Sequence, residues 1–165
     1  MSPFLDQFVH YITVLIFSGL LVWAAVTDLR EFLIPNRISV AIVALYPAHV
    51  LASAQPVDWV GALIACGIVF AVGFALFALR ITGGGDVKLL AATALWAGPE
   101  LVTPFLLVTA VAGGVLALVK LGQLRSARAR QGDSAQTSEP LKQNVPYGLA
   151  IVASGLFVAG KLIAG

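Results

Sequence analysis

Apolar residues run in long unbroken stretches along this chain, and polar residues fall between them in short clusters. A helix needs about 20 apolar residues to cross a bilayer core, and the runs predict spans near 8–27, 37–54, 58–80, 87–98, 100–121 and 145–164. The second holds Pro47, which makes a kink plausible. The fourth, "VKLLAATALWAG", is only about 18 Å long at roughly 1.5 Å per residue, too short to cross comfortably.

Basic residues decide the sidedness. With six spans and the amino terminus outside, the inner segments hold Arg30, Arg37, Arg80, Lys88, Lys120, Arg125, Arg128, Arg130 and Lys142. Only Lys161 falls on the outer side. Merging the fourth and fifth spans would move the Arg-rich 122–144 stretch outside, against the positive-inside rule. The expectation is therefore an all-α integral membrane protein of about six transmembrane helices, both termini on the outer side. Residues 1–165 form one domain, and 122–144 reads as a mobile cytoplasmic linker whose arginines touch anionic headgroups.

Composition agrees. The chain is 59% hydrophobic and 11% charged, with a mean hydropathy of +0.96, whereas a soluble domain carries about 25% charged residues. The single cysteine, Cys66, makes neither an intrachain disulfide nor a Cys-rich zinc site. The first ten residues carry no Lys or Arg, so a cleavable signal is not expected and the first segment reads as a retained span.

Three polar interruptions are not demanded by packing. In "TDLREFLIPNRIS", residues 27–39, Asp28 ends the first helix and Pro35 and Asn36 turn the chain, with Asn36 a reasonable N-cap. An ordinary hairpin loop accounts for all of this except Asp28. In "RITGGGDVKLL", residues 80–90, Asp86 reads either as the N-cap of the fourth helix or as a chemical group. Gly83, Gly84 and Gly85 permit close approach of another backbone, and no phosphate-loop pattern accompanies them. In "NVPYGLAI", residues 144–151, Tyr147 reads as an interfacial aromatic anchor or as part of a site.

Asp28 and Asp86 lie at the same face, and ionisable residues at membrane depth are functional candidates. Two facing carboxylates tend to share one proton. The ionised one can then take a proton from water while the protonated one polarises a peptide carbonyl, the division of labour in aspartic proteases. No HExxH or GxSxG is present, and His10 and His49 fall on the other side. No metal, cofactor or nucleic acid is expected. A different reading keeps the two aspartates as cation-binding groups of a small transporter or proton-conducting protein, and another makes the chain a non-catalytic pilus assembly subunit.

"DLREFLIPN" followed by "GGGDVKLL" resembles the paired signature of the type IV prepilin peptidases, the GxGD membrane aspartic peptidases. Asp28, Arg30, Ile34, Pro35 and Asn36 match its first motif. Gly83, Gly85 and Asp86 match its second, with Lys88 following. Pro146, Tyr147 and Gly148 resemble its last-helix motif. The resemblance implies Asp28 and Asp86 as the catalytic pair. It makes Arg30, Pro35, Asn36, Gly83, Gly84, Gly85, Lys88, Pro146, Tyr147 and Gly148 supporting residues, the glycines giving a substrate backbone room. Arg30 and Lys88 would influence the pair or contact substrate, or serve only as topology charges. It implies a prepilin or pseudopilin substrate with a basic leader, cut at the cytoplasmic face of the inner membrane, with pilus assembly machinery as a possible partner. The paired CxxC motifs of longer, methylating members are missing, so the chain resembles the short form found with tight-adherence (Flp-type) pili. Presenilin-type proteases share GxGD, but their Pro-Ala-Leu motif is absent.

Overall fold

In the computed structural model, residues 3–31, 33–53, 56–131 and 147–164 are described. They form helices α1 (Pro3–Glu31), α2 (Asn36–Ala52), α3 (Trp59–Ala78), α4 (Gly84–Gln131) and α5 (Tyr147–Ala164). No strand occurs among the described residues. Four helices carry stretches long and apolar enough to cross a membrane: Gln7–Glu31, Trp59–Ala78, Gly84–Gln123 and Tyr147–Ala164. The shorter Asn36–Ala52 is apolar too, and it runs through Pro47 as one helix.

The helix α4 is two arms. At Gly98 the backbone takes φ 61° and ψ −175°, a region closed to residues with a side chain, and Pro99 follows without an amide hydrogen. Beyond this point the chain doubles back. Pro99 lies beside Gly61 at the start of α3, whereas Gly113 lies beside Tyr147 and Ala150 at the start of α5. Midway, the hydroxyls of Thr109 and Ser154 are 2.6 Å apart. The fourth and fifth sequence segments are thus two antiparallel arms, 84–97 and 99–131, and the described chain forms six helical segments. Nothing lies within 4 Å of a Cβ built at 98, so the cost of a side chain there is backbone strain alone. Gly98→Ala is expected to destabilise the fold by about 1–3 kcal/mol, read as a lower thermal midpoint in detergent with no change in helix content at low temperature.

The short first arm has a structural cause. Val87, Leu89 and every residue from Ala91 to Ala97 are buried. The other helices wrap it, so it is apolar on all sides and carries no amphipathic period. Trp96 is its anchor. Its ring stacks on Phe17 of α1 with centroids 4.3 Å apart, and its Nε1–H donates to Ile42 O of α2 at 3.0 Å. Small residues set the spacing elsewhere: a Cβ at Gly155 would meet Leu21 at 2.7 Å and Thr93 at 3.1 Å, the close packing that membrane helices use.

The linker expected at 122–144 begins later than its composition suggested. The second arm stays helical through Gln131, and 132–144 lie outside the described residues. Ten residues of Arg-rich polar sequence are compatible with a helix that simply runs on, because Arg and Gln are good helix formers.

Candidate functional site

The helices bring the two aspartates to one end of the bundle, from opposite chain directions. Asp28 sits in the last turn of α1 and Asp86 in the first turn of α4. Ile34 lies between the two ends, against Gly85 beside Asp86 and against Gly148 where Asp28 Oδ2 also packs, so each aspartate feels the charge of the other. His10 and His49 lie side by side at the other end, with ring centroids 5.1 Å apart and planes tilted by 35°; His10 Nε2 contacts Leu162 O near the end of α5 at 3.1 Å. The separation of aspartates and histidines expected from the sequence therefore holds in three dimensions.

Each aspartate is held by a helix start. Asp28 is buried at 6% exposure, and its carboxylate faces the backbone N–H groups of Gly148 and Leu149 that open α5. Those amides are unpaired within the helix and carry the positive end of its dipole. Its Oδ2 is buried against Gly148 with no hydrogen-bond partner, an arrangement that costs stability. Asp86 reaches back to the N–H of Gly83. It is not the N-cap, since α4 begins at Gly84; it occupies the third helical position, as the acidic residue of a capping box does.

The close approach allowed by the glycines is to this chain's own atoms. A Cβ at Gly85 would lie 3.2 Å from Ile34 Cβ and 3.3 Å from its carbonyl oxygen. One at Gly84 would meet the Phe77 ring at 3.3 Å, and one at Gly83 would stand 3.0 Å from Asp86 Oδ2. At Gly148 the constraint is strongest: a Cβ would come within 2.6 Å of Asp28 Oδ2 and 3.0 Å of Ile34 Cδ1. Ile34, buried at 4% exposure, thus wedges between Gly85 and Gly148 and ties the three sequence motifs together. Its neighbour Pro35 is half-buried and is the N-cap of α2, with no side-chain cap bond.

That position corrects the expectation for Asn36, which is the first helical residue of α2 and not its cap. Its side-chain oxygen accepts from Lys88 Nζ at 2.9 Å instead, joining the start of α2 to the first arm of α4. Both residues are exposed, so the bond is modest. A double-mutant cycle of Asn36→Ala and Lys88→Ala is expected to give a coupling of about 0.2–1 kcal/mol in unfolding. Arg30 is exposed. Tyr147 is 37% exposed and stands against Gly113; Pro146 lies outside the described residues. Gly148 belongs to the last-helix motif named above, but nothing in the sequence marks its amide, or that of its neighbour Leu149, as facing Asp28.

A model of the type IV leader peptidase family matches residues 15–118, more than half of the chain and both aspartates. The chain belongs to this family. It is a peptidase-type, multi-pass membrane protein built from helices alone among the described residues. No curated protein and no solved structure matches it. The family match stops before α5, so the contact of Gly148 with Asp28 adds the last helix to the site on geometric grounds.

Proposed function

We propose that this leader peptidase is a prepilin peptidase, cutting type IV-like prepilins after their short basic leader at the cytoplasmic face of the inner membrane. The observation that carries the proposal is the convergence of Asp28 and Asp86, from α1 and α4, at one end of the bundle. The pair shares one proton. The ionised carboxylate takes a proton from a water, whose oxygen attacks the scissile carbonyl carbon. The protonated carboxyl hydrogen-bonds the carbonyl oxygen as it becomes an oxyanion. Collapse of the tetrahedral intermediate breaks the C–N bond, and a proton passes to the leaving amine. The six segments all cross the membrane in this scheme, with the aspartate end inside, as the distribution of Lys and Arg requires. Arg30 and Lys88 serve at the headgroup level.

The test is co-expression with a small protein carrying a basic leader, a glycine and then an apolar helix. Loss of the leader, seen as a mobility shift on a gel and as a new amino terminus by mass spectrometry, is the expected result. An uncut precursor in membranes that hold folded enzyme overturns the proposal.

A further inference from the structure

At the end of the bundle opposite the aspartates lies a cavity of about 720 Å³ that peptide hydrolysis does not use. Tyr46, His49 and Trp96 line it and are buried, and the exposed Asp58, Glu100 and Lys161 stand around its mouth. Three helical segments finish at its wall: α2 at Ala52, the first arm of α4 at Ala97 and α5 at Ala164. The last carbonyls of a helix lack partners within it and carry the negative end of its dipole. The segments that begin here bring an acid each. Asp58 caps α3, its Oδ1 accepting from Gly61 N–H at 2.8 Å, and Glu100 follows Pro99 in the first turn of the second arm.

Hydrogen-bond donors in this wall are spent inside the chain, whereas acceptors are left over. Trp96 Nε1–H is given to Ile42 O, and the Ser53 hydroxyl to His49 O at 2.7 Å. His10 Nε2 faces Leu162 O. A carbonyl only accepts, so that nitrogen carries the proton, and Nδ1 of the neutral ring keeps a lone pair. This Nδ1, the Tyr46 hydroxyl and His49 Nδ1 are all buried without a partner. The lining carries two carboxylates against the one ammonium of Lys161, whose Nζ lies 6.0 Å from the centre of the Phe157 ring. The stacked rings of His49 and Trp96, centroids 4.8 Å apart, add an aromatic surface of the kind that attracts cations. Among the described residues no three His, Cys, Asp or Glu side chains are grouped to hold a metal ion. The volume instead falls in the range of about 300–1,000 Å³ that organic ligands occupy.

We propose that this cavity binds a primary ammonium group, carried by the head group of an aminophospholipid in the adjoining leaflet. An ammonium brings three donors, a positive charge and no acceptor, which complements a wall with spare acceptors and an excess of carboxylate. The lipid source follows from position and size. The cavity lies at the ends of helices that cross the membrane, at head-group level, and Lys161 at its mouth is placed for the phosphate that neighbours the ammonium in such a lipid. Its volume exceeds what an ammonium alone would fill. A choline head group has the charge without N–H donors, and a glycerol head group has hydroxyls without the charge, so both fit less well. The inference rests on the six-span arrangement and not on the peptidase reaction.

The experiment uses the full-length protein, delipidated in detergent and equilibrated with equal amounts of dioleoyl phosphatidylethanolamine, phosphatidylcholine and phosphatidylglycerol. Lipid retained on the protein is counted by native mass spectrometry. Phosphatidylethanolamine is expected to be retained over each of the others by at least about tenfold, the ratio that a charge-assisted hydrogen bond gives. Glu100→Gln and Tyr46→Phe, which nearly conserve volume, are each expected to bring that ratio to within about threefold. Either variant alone carries the test where the other does not accumulate. Lys161→Met is expected to weaken retention of all three lipids alike, since each has the phosphate. Equal retention of the three lipids by the wild type overturns the proposal, and so does a preference that survives both Glu100→Gln and Tyr46→Phe. Displacement of the lipid by free phosphoethanolamine or by spermidine at equal concentration also overturns it, because the site would then serve a soluble amine. Leader cleavage is not the readout, so the peptidase function stands or falls separately.

Discussion

Asp28→Asn and Asp86→Asn are each expected to lower leader cleavage by about 10²–10⁴-fold, the contribution typical of a positioned acid or base. The side chain keeps its volume, so folding is expected to be retained, with both variants running at the wild-type position in size-exclusion chromatography. A neutral amide at 86 no longer repels Asp28, yet it cannot take a proton from water. An amide at 28 still fills the space beside Gly148 but has lost its negative charge at the start of α5. Because the two groups act as one unit, the double variant is expected to be no slower than the worse single variant by more than a few-fold. Full additivity of the two losses would show that they act independently and would refute a shared-proton pair. A transporter reading predicts the opposite pattern, altered ion flux with unchanged cleavage, so assaying both in the same membranes separates the classes.

How much of this was legible in the sequence differs between the ends of the argument. The helices were written in the apolar runs, because a bilayer leaves a chain few other ways to satisfy its backbone. The reversal at Gly98 was visible only as a short fourth segment and a Gly-Pro pair; charge placement kept the two arms separate, and the geometry at Gly98 supplies the cause. Asp28 and Asp86 stood out because ionisable residues are costly at that depth. Their proximity was not legible, since it depends on how α1 and α4 pack. The roles of the glycines were harder still. "GGGD" suggested clearance for a substrate, yet Gly85 clears Ile34 and Gly84 clears Phe77. A string of glycines states that something approaches closely without stating what. Asn36 shows the same limit: its side chain suited a cap, and a lysine 52 positions away took the oxygen instead.

Gly148→Ala is the sharpest test of that geometry, because it alters the site without touching an ionisable group. Glycine is tolerated at this helix start for a reason of space, since a methyl group would fall 2.6 Å from Asp28 Oδ2, 2.9 Å from its Cγ and 3.0 Å from Ile34 Cδ1. These contacts are shorter than van der Waals separation, so the Asp28 carboxylate or α5 must move. Alanine is a better helix former than glycine by about 1 kcal/mol, which offsets part of the packing cost, and global stability is expected to change little. Cleavage is expected to fall about 10²-fold, because a displacement of about 1 Å in a catalytic group costs that much. Gly113→Ala, one helix away, is the control: a Cβ there meets only Tyr147 and Ala150 at 3.6 Å or more, ordinary contact. It should leave the rate within about threefold, a change of about 0.65 kcal/mol in the barrier. If Gly148→Ala cleaved at the wild-type rate, the last helix would not be positioning Asp28. The leader peptidase would then rest on α1 and α4 alone.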